Sequence, residues 1–199
     1  MTDLWSSNSA KEWRAALDRY DAVIERQDIP RLVPLDRWYR EELPEAIAAR
    51  RSPHVTHAEL VKLTEWKMTR GVWRARNLVL VRGNDADEVK EASTAALAEV
   101  PHPTKPIARL AKLAGVGPAT ASAVAAAAAP EVYPFFDELV AAAAGTLGPV
   151  AFTLAYYARY AAALRERAAR LGGAWTPARV ERALWADRGG KAGAREGVR

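Results

Sequence analysis

Apolar residues recur along this chain at the three- and four-residue spacing of a helix face, and the strict alternation of a half-buried strand is scarce. Trp13, Leu17, Tyr20 and Ile24 mark a first amphipathic helix. Asp36 precedes Trp38, Tyr39 and Leu43 on a second helical stretch, expected to break near Pro44. Thr56-His57-Ala58-Glu59 has the spacing of a capping box and opens a helix through Leu60, Leu63, Trp66 and Lys67. Gly71 should interrupt that helix, with Val72–Val81 continuing as another in spite of its β-branched content. Gly83-Asn84-Asp85 opens a helix to about Glu99, and after the Pro101-His102-Pro103 loop Thr104 is expected to cap a helix ending near Ala114. In the second half the pattern predicts an alanine-rich helix over Pro118–Ala129 and another over Asp137–Ala144, whose first carboxylates favour the helix N-terminus. A long helix from Pro149 to Leu171 is closed by Gly172-Gly173, and Thr176 with Pro177 starts a last helix to about Trp185. No internal repeat is visible, and the expected fold class is all-α.

Composition narrows the function classes. The 199 residues are 50% hydrophobic and 27% charged, a globular balance with enough chain for a real core. Cysteine is absent, which excludes disulfides, thiolate metal sites, iron–sulfur clusters and cysteine nucleophiles. The start, Met1-Thr2-Asp3-Leu4-Trp5, lacks the features of a signal peptide, and the apolar runs Ala119–Ala129 and Leu139–Leu147 are too short to span a bilayer. A cytoplasmic monomer with no membrane partner is expected, nucleoid-associated in a bacterium. Arg and Lys exceed Asp and Glu by 29 to 24, a net charge of +5. Residues 1–50 carry eight basic and ten acidic groups, so the excess lies downstream. It gathers at Lys62, Lys67, Arg70, Arg74 and Arg76, again at Arg159, Arg165, Arg167 and Arg170, and in residues 188–199, a tail expected to be disordered. Such clusters suit phosphate contacts and equally suit solvated helix faces. His54 and His57 have no third ligand nearby, and Asp85-Ala86-Asp87-Glu88 lacks a calcium loop's spacing, so no metal site is expected.

The stretch with the most chemical content is Leu113-Ala114-Gly115-Val116-Gly117-Pro118-Ala119-Thr120-Ala121-Ser122. Two glycines one residue apart permit a tight turn with positive φ and a close backbone approach to a ligand. The N–H groups of the following helix then suit one phosphate. An ordinary helix corner with glycine after the C-cap explains the turn equally well.

Leu113-Ala114-Gly115-Val116-Gly117 followed by Thr120-Ala121 resembles the helix-hairpin-helix of base-excision DNA glycosylases, the superfamily of endonuclease III and 3-methyladenine glycosylase. In that family an essential aspartate follows after a helix and a loop. Here the loop Pro130–Phe136 leads to Asp137, 24 residues after Leu113, the spacing of the endonuclease III branch. The resemblance covers Thr104–Ala144 well and implies two helical lobes around a DNA cleft. The middle lobe would be 55–130, with its hairpin at 105–129, and the second would join 1–54 to 131–187. Departures accompany the match. The position of the Schiff-base lysine in bifunctional members is Ala119, the cluster cysteines are missing, and Glu138-Leu139 stands where the family often has Thr-His.

The resemblance therefore implies a monofunctional glycosylase acting on double-stranded DNA, excising a damaged base such as an alkylated one, without lyase activity. Asp137 would be catalytic, stabilising positive charge that builds on the sugar as the glycosidic bond breaks. Gly115, Val116, Gly117 and Thr120 would hold a DNA phosphate, with Lys112, Lys67, Arg70 and Arg74 adding affinity. The family's hairpin carbonyls often hold a monovalent cation, and no other cofactor is implied. Extrusion of the base calls for aromatic walls, for which Trp66, Trp73 and Tyr133 are candidates. Trp66 fits a core position beside Leu63 as well. The alternative is a non-catalytic helix-hairpin-helix module that binds DNA.

Overall fold

The computed structural model describes residues 3–145, 147–190 and 194–195. These are mostly helical, as the apolar spacing predicts. A 3-10 turn at Leu4–Ser6 leads to α1 (Ala10–Asp18), capped by Ser9, and α2 (Tyr20–Glu25). The single helix expected over Trp13–Ile24 is thus divided at Arg19. Next come α3 (Leu32–Arg37), a π-helical turn at Trp38–Glu42 and α4 (Leu43–Ala48). Pro44 does not break this stretch. The chain widens one turn ahead of it, with the Leu43 N–H bonding back to the Trp38 carbonyl, which accommodates a residue that has no N–H to give.

Helix α5 (His57–Arg70) opens with both halves of the capping box, Thr56 accepting from the Glu59 N–H and Glu59 from the Thr56 N–H. It ends at Gly71. Val72–Trp73, expected to be helical, is a short extended segment, β1, paired in parallel with Ala194–Arg195 (β2), and only from Ala75 does α6 (Ala75–Arg82) begin. Asp85 caps α7 (Ala86–Leu97) through the Asp87 and Glu88 N–H groups. Helix α8 (Lys105–Leu110) is capped differently from expectation: the His102 Nδ1, not the Thr104 hydroxyl, accepts from the Thr104 and Lys105 N–H groups. Then follow α9 (Pro118–Ala128), α10 (Glu138–Ala143) and α11 (Leu154–Leu171), the last starting later than Pro149 because Thr153 is its cap. Thr176 caps α12 (Pro177–Asp187), with Pro177 in its first turn.

One connected apolar cluster runs from Leu4 and Trp13 through Leu60, Leu63 and Trp66 to Val180 and Trp185. Helix α5 lies against α3, α6, α7 and α9, so it is buried on most of its faces. Helix α9 is buried from Ala119 to Ala127; its run of alanines lets α4, α5 and α8 approach without large side chains between them. Helix α12 closes the bundle against α1 and α11. The tail expected to be disordered begins in an ordered way. Arg188 pairs with Asp3, and the Gly190 N–H bonds to the Trp185 carbonyl. Residues 191–193 and 196–199 of that tail lie outside the described residues. No helix among the described residues is long and apolar enough to cross a membrane.

Candidate functional site

Helices α8 and α9 with the turn between them form a helical hairpin, fixed to its neighbours by sequence-specific contacts. Leu113 and Val116 are buried beneath the turn. Gly115 has φ +74°, and a Cβ there would lie 2.5 Å from the Asn77 carbonyl oxygen and 2.8 Å from the Leu80 Cβ. Only glycine allows both that conformation and that approach to α6. Asn84 clamps the turn: its Nδ2 donates to the Ala114 carbonyl and its Oδ1 accepts from the Ala114 N–H, each at 2.9 Å. Gly117 faces open space and stands at the N-cap of α9 with no side chain capping the helix.

The loop before Asp137 is pinned to α9 by Ser122, whose hydroxyl accepts from the Phe136 N–H at 2.9 Å and donates to the Ala119 carbonyl. Tyr157 and Tyr160 on α11 hold the same loop by donating to the Pro134 and Phe135 carbonyls. Asp137 then starts α10. Its Oδ1 accepts from the Leu139 and Val140 N–H groups at 2.8 and 3.2 Å. Its Oδ2 accepts from Arg70 Nη1 at 3.2 Å. The residue is 7% exposed.

Arg70 is the centre of a buried polar network. Nη2 donates to Glu181 at 2.8 Å and Nε to the Tyr20 hydroxyl at 3.2 Å. Around the guanidinium stand the rings of Trp185, Phe135, Trp66 and Tyr20, the nearest, Trp185, with its centroid at 4.4 Å. Asp36 extends the network, accepting from Tyr20, from the Trp66 indole and from Arg40. Burial pushes the Glu181 carboxyl up to about 7, with Arg70 opposing and the nearby Asp137 adding to the rise. Burial likewise raises the Tyr20 phenol well above its ordinary value.

A cavity of about 250 Å³ opens beside Asp137. Its walls come from the end of α5 and the following segment (Lys67, Gly71, Val72, Arg74), from the first turn of α9 (Gly117 to Thr120), and from Phe136 to Leu139, with Phe152 at one side. Burial and the Arg74 cation lower the Lys67 ammonium to about 8, while Asp137 pulls the other way. The structure thus brings together Lys67, Arg74, Gly117, Thr120 and Asp137, which lie in three separate parts of the sequence. A second cavity, about 160 Å³, is lined by Tyr39, Trp66, Phe135, Glu181 and Arg182 among others.

Other candidate residues have different places. Arg70 is fully buried, with its guanidinium engaged by two carboxylates and a hydroxyl, so it orients Asp137 and cannot reach a surface phosphate. Trp66 is a core residue, stacked on Tyr39 at 3.5 Å between ring centroids, and lines the second cavity instead of the first. Tyr133 is buried with its hydroxyl donating to the His102 carbonyl, which fixes the loop and leaves no ring face for a base. Trp73 is partly buried, with the Arg31 guanidinium 4.5 Å from its centroid, and does not line the cavity beside Asp137. Lys112 and Gly117 are exposed on the hairpin, while Val116 and Thr120 are buried there. In the second basic cluster, Arg167 is an internal tie, donating to the Trp5 and Ser7 carbonyls and to Asn8. Among the described residues no group of three His, Asp or Glu side chains forms a metal site.

Four residues the sequence did not single out prove important here: Glu181, Asp36, Ser122 and Asn84. Glu181 had a visible signal, for it lies on the α12 stripe of Pro177, Leu184 and Trp185, where a carboxylate is out of place unless paired. Comparison with protein-family models, with curated proteins and with solved structures finds no match to this chain.

Proposed function

We propose that this protein is a helix-hairpin-helix DNA glycosylase that releases a damaged base, such as an alkylated one, from double-stranded DNA by hydrolysis. The reading is supported by one observation above others: Asp137, the open Gly117 end of the hairpin and the cationic Lys67 and Arg74 line a single cavity. At about 250 Å³ it is smaller than the ~300–1,000 Å³ of most small-molecule sites, a size suited to a single nucleobase or sugar. In this reading the backbone N–H groups of Gly117, Ala119 and Thr120 take one phosphate, with Lys112 and Arg74 adding sequence-independent affinity. Asp137, held by its cap and by Arg70, faces the sugar as positive charge develops there and orients water for attack. The hairpin position that would carry a lyase lysine is Ala119, so the hairpin itself offers no amine. No organic cofactor enters the reading; the carbonyls of the turn would hold at most a monovalent cation.

A second reading, a DNA-binding module without catalysis, is favoured by a specific observation. Both oxygens of Asp137 already have partners, and little of the residue is exposed. The two are separated by single-turnover base release from a panel of damaged duplexes, comparing wild type with Asp137→Asn, which keeps an oxygen for the helix cap. Glycosylase action predicts excision reduced by about 10²–10⁴-fold with DNA affinity retained. Absence of excision from every duplex, together with binding that weakens steeply with salt, selects the binding module.

A further inference from the structure

The second cavity, about 160 Å³, has no part in the reading above and shares only Phe135 with the cavity beside Asp137. Its floor is buried: Tyr39, Trp66 and Phe135 contribute rings, and Ala126 and Ala127 of α9 keep the wall beside them low. Arg40, Pro44, Pro130 and Arg182 are partly or fully exposed, so the cavity opens to solvent on their side. An apolar protein cavity of ~150 Å³ takes up benzene, so this one has room for a single six-membered ring. Aromatic side chains favour another ring in offset or edge-on contact over a flexible chain.

The polar groups on the walls define the rest of the guest. Tyr20 and the Trp66 indole donate to Asp36, and Tyr39 donates to the Ala123 carbonyl, so the donors of these rings are in use. Arg40 is committed to Asp36 and Asp21. Arg182 differs: among the described residues its guanidinium makes no hydrogen bond or ion pair, and its Nε is buried without a partner. A buried donor left unpaired is costly, and a guanidinium fork matches a carboxylate in shape and charge. The one carboxyl on the wall is Glu181, whose bond to Arg70 is made by Oε1, so Oε2 stands outside it. Glu181 feels the charges of Arg70, Arg182 and Asp137 and lies near the phenols of Tyr20, Tyr39 and Tyr160. Burial keeps its proton on up to about 7, so in mildly acidic solution it is a neutral donor and does not repel an anion. We propose that this cavity is a binding site for a small planar aromatic carboxylate, with the ring on the floor of Tyr39, Trp66 and Phe135 and the carboxylate on Arg182. The site is independent of the DNA reading, since neither Asp137 nor the hairpin turn lines it.

The test is a titration of the full chain with benzoate at pH 6, followed by heteronuclear NMR. The expected result is saturable binding with a dissociation constant of about 1 mM or tighter, a reasonable strength for so small a ligand. Nuclear Overhauser contacts should run from the benzoate ring protons to Trp66, Ala126 and Ala127. Benzyl alcohol, which keeps the ring without the charge, and acetate, which keeps the charge without the ring, should each bind at least ~10-fold more weakly. Arg182→Met, at a partly exposed position, should weaken benzoate by ~10–100-fold, the worth of a hydrogen bond to a charged group, and leave benzyl alcohol unchanged. The proposal is overturned by an absence of saturable binding, or by ring contacts to Phe152 and Leu139 of the other cavity in place of Trp66. Equal affinity for benzyl alcohol, or benzoate affinity unchanged in a folded Arg182→Met, overturns it too. The contacts measured on wild-type protein decide the matter even if the variant fails to fold.

Discussion

Replacing Arg70 by methionine tests the centre of the structure. Methionine approximates the stem of the side chain and removes the guanidinium that faces Asp137 and Glu181. The side chains of Arg70, Asp137 and Glu181 are only 1%, 8% and 4% exposed, so the small values measured for surface ion pairs do not apply. Breaking a buried pair by deleting one partner costs about 3–5 kcal/mol, because the other charge remains buried without compensation. Here two carboxylates remain. Glu181 already holds its proton up to about 7, so near pH 6 it can stay neutral in the variant and part of the cost disappears. Above pH 7 the wild-type group has ionised against Arg70, whereas the variant must retain a proton that the unfolded chain does not bind. The difference in stability should then grow by about 1.4 kcal/mol per pH unit. Equilibrium urea unfolding reads this directly. With a slope of roughly 2 kcal/mol per molar urea, the midpoint should fall by about 1.5–2.5 M at pH 8, and by less at pH 6. Adding Glu181→Gln removes the second buried charge and should recover at least about 1 kcal/mol at pH 8. A loss below about 1 kcal/mol, a loss independent of pH, or no recovery in the double variant would refute the account of Arg70 as the neutralising centre.

Gly115→Ala should destabilise the hairpin by about 1–3 kcal/mol in thermal unfolding, because φ is +74° and the new Cβ meets the Asn77 carbonyl at 2.5 Å. Gly117→Ala has open space and an extended backbone, so its unfolding should be nearly unchanged; if the turn binds phosphate, DNA affinity measured by anisotropy should fall instead. The wild-type pH profile of stability follows from Glu181. Its folded value near 7 lies above the ordinary 4.5, so its contribution is fully present below 4.5 and is lost as pH rises to 7, about 3 kcal/mol in all. Glu181→Gln should flatten that window in urea titrations. An unchanged slope there would mean the carboxyl is not the group responsible.

The helical spacing of apolar residues was sufficient for most elements, because most helices bury one stripe and several carry a capping residue at their start. Thr56-His57-Ala58-Glu59, Asp85, Asp137 and Thr176 all cap where their sequence suggests. The failures have local causes. Val72 and Trp73 follow Gly71 and precede a helix start at Ala75, and their extended form is completed by a partner segment more than 120 residues away, at Ala194–Arg195. Pro44 looks like a breaker until the π turn at Trp38–Glu42 moves the chain around it. Thr104 is a natural cap by type, yet the His102 imidazole already occupies the acceptor position.

The site was half legible for a physical reason. A glycine turn and the aspartate that follows it are local features, so Gly115, Gly117 and Asp137 stand out in one short stretch. What Asp137 can do depends on partners from distant helices: Arg70 from α5, and through it Glu181 from α12. A basic residue near a tryptophan suggests a DNA face on charge alone, and Lys67 and Arg70 appear equivalent in sequence. Three positions along α5 correspond to about 300° of helical turn and a few ångströms of rise, and that offset separates two environments. Arg70 enters a ring of aromatic side chains with carboxylates to neutralise it, a place that a planar, permanently charged group can occupy. Lys67 meets a cavity with a second cation beside it and no contacting carboxylate, a place that favours release of a proton. Exchanging the two types should therefore damage both positions by different routes: a lysine at 70 loses the fork that spans Asp137 and Glu181, and an arginine at 67 puts a bulkier, permanently charged group beside Arg74.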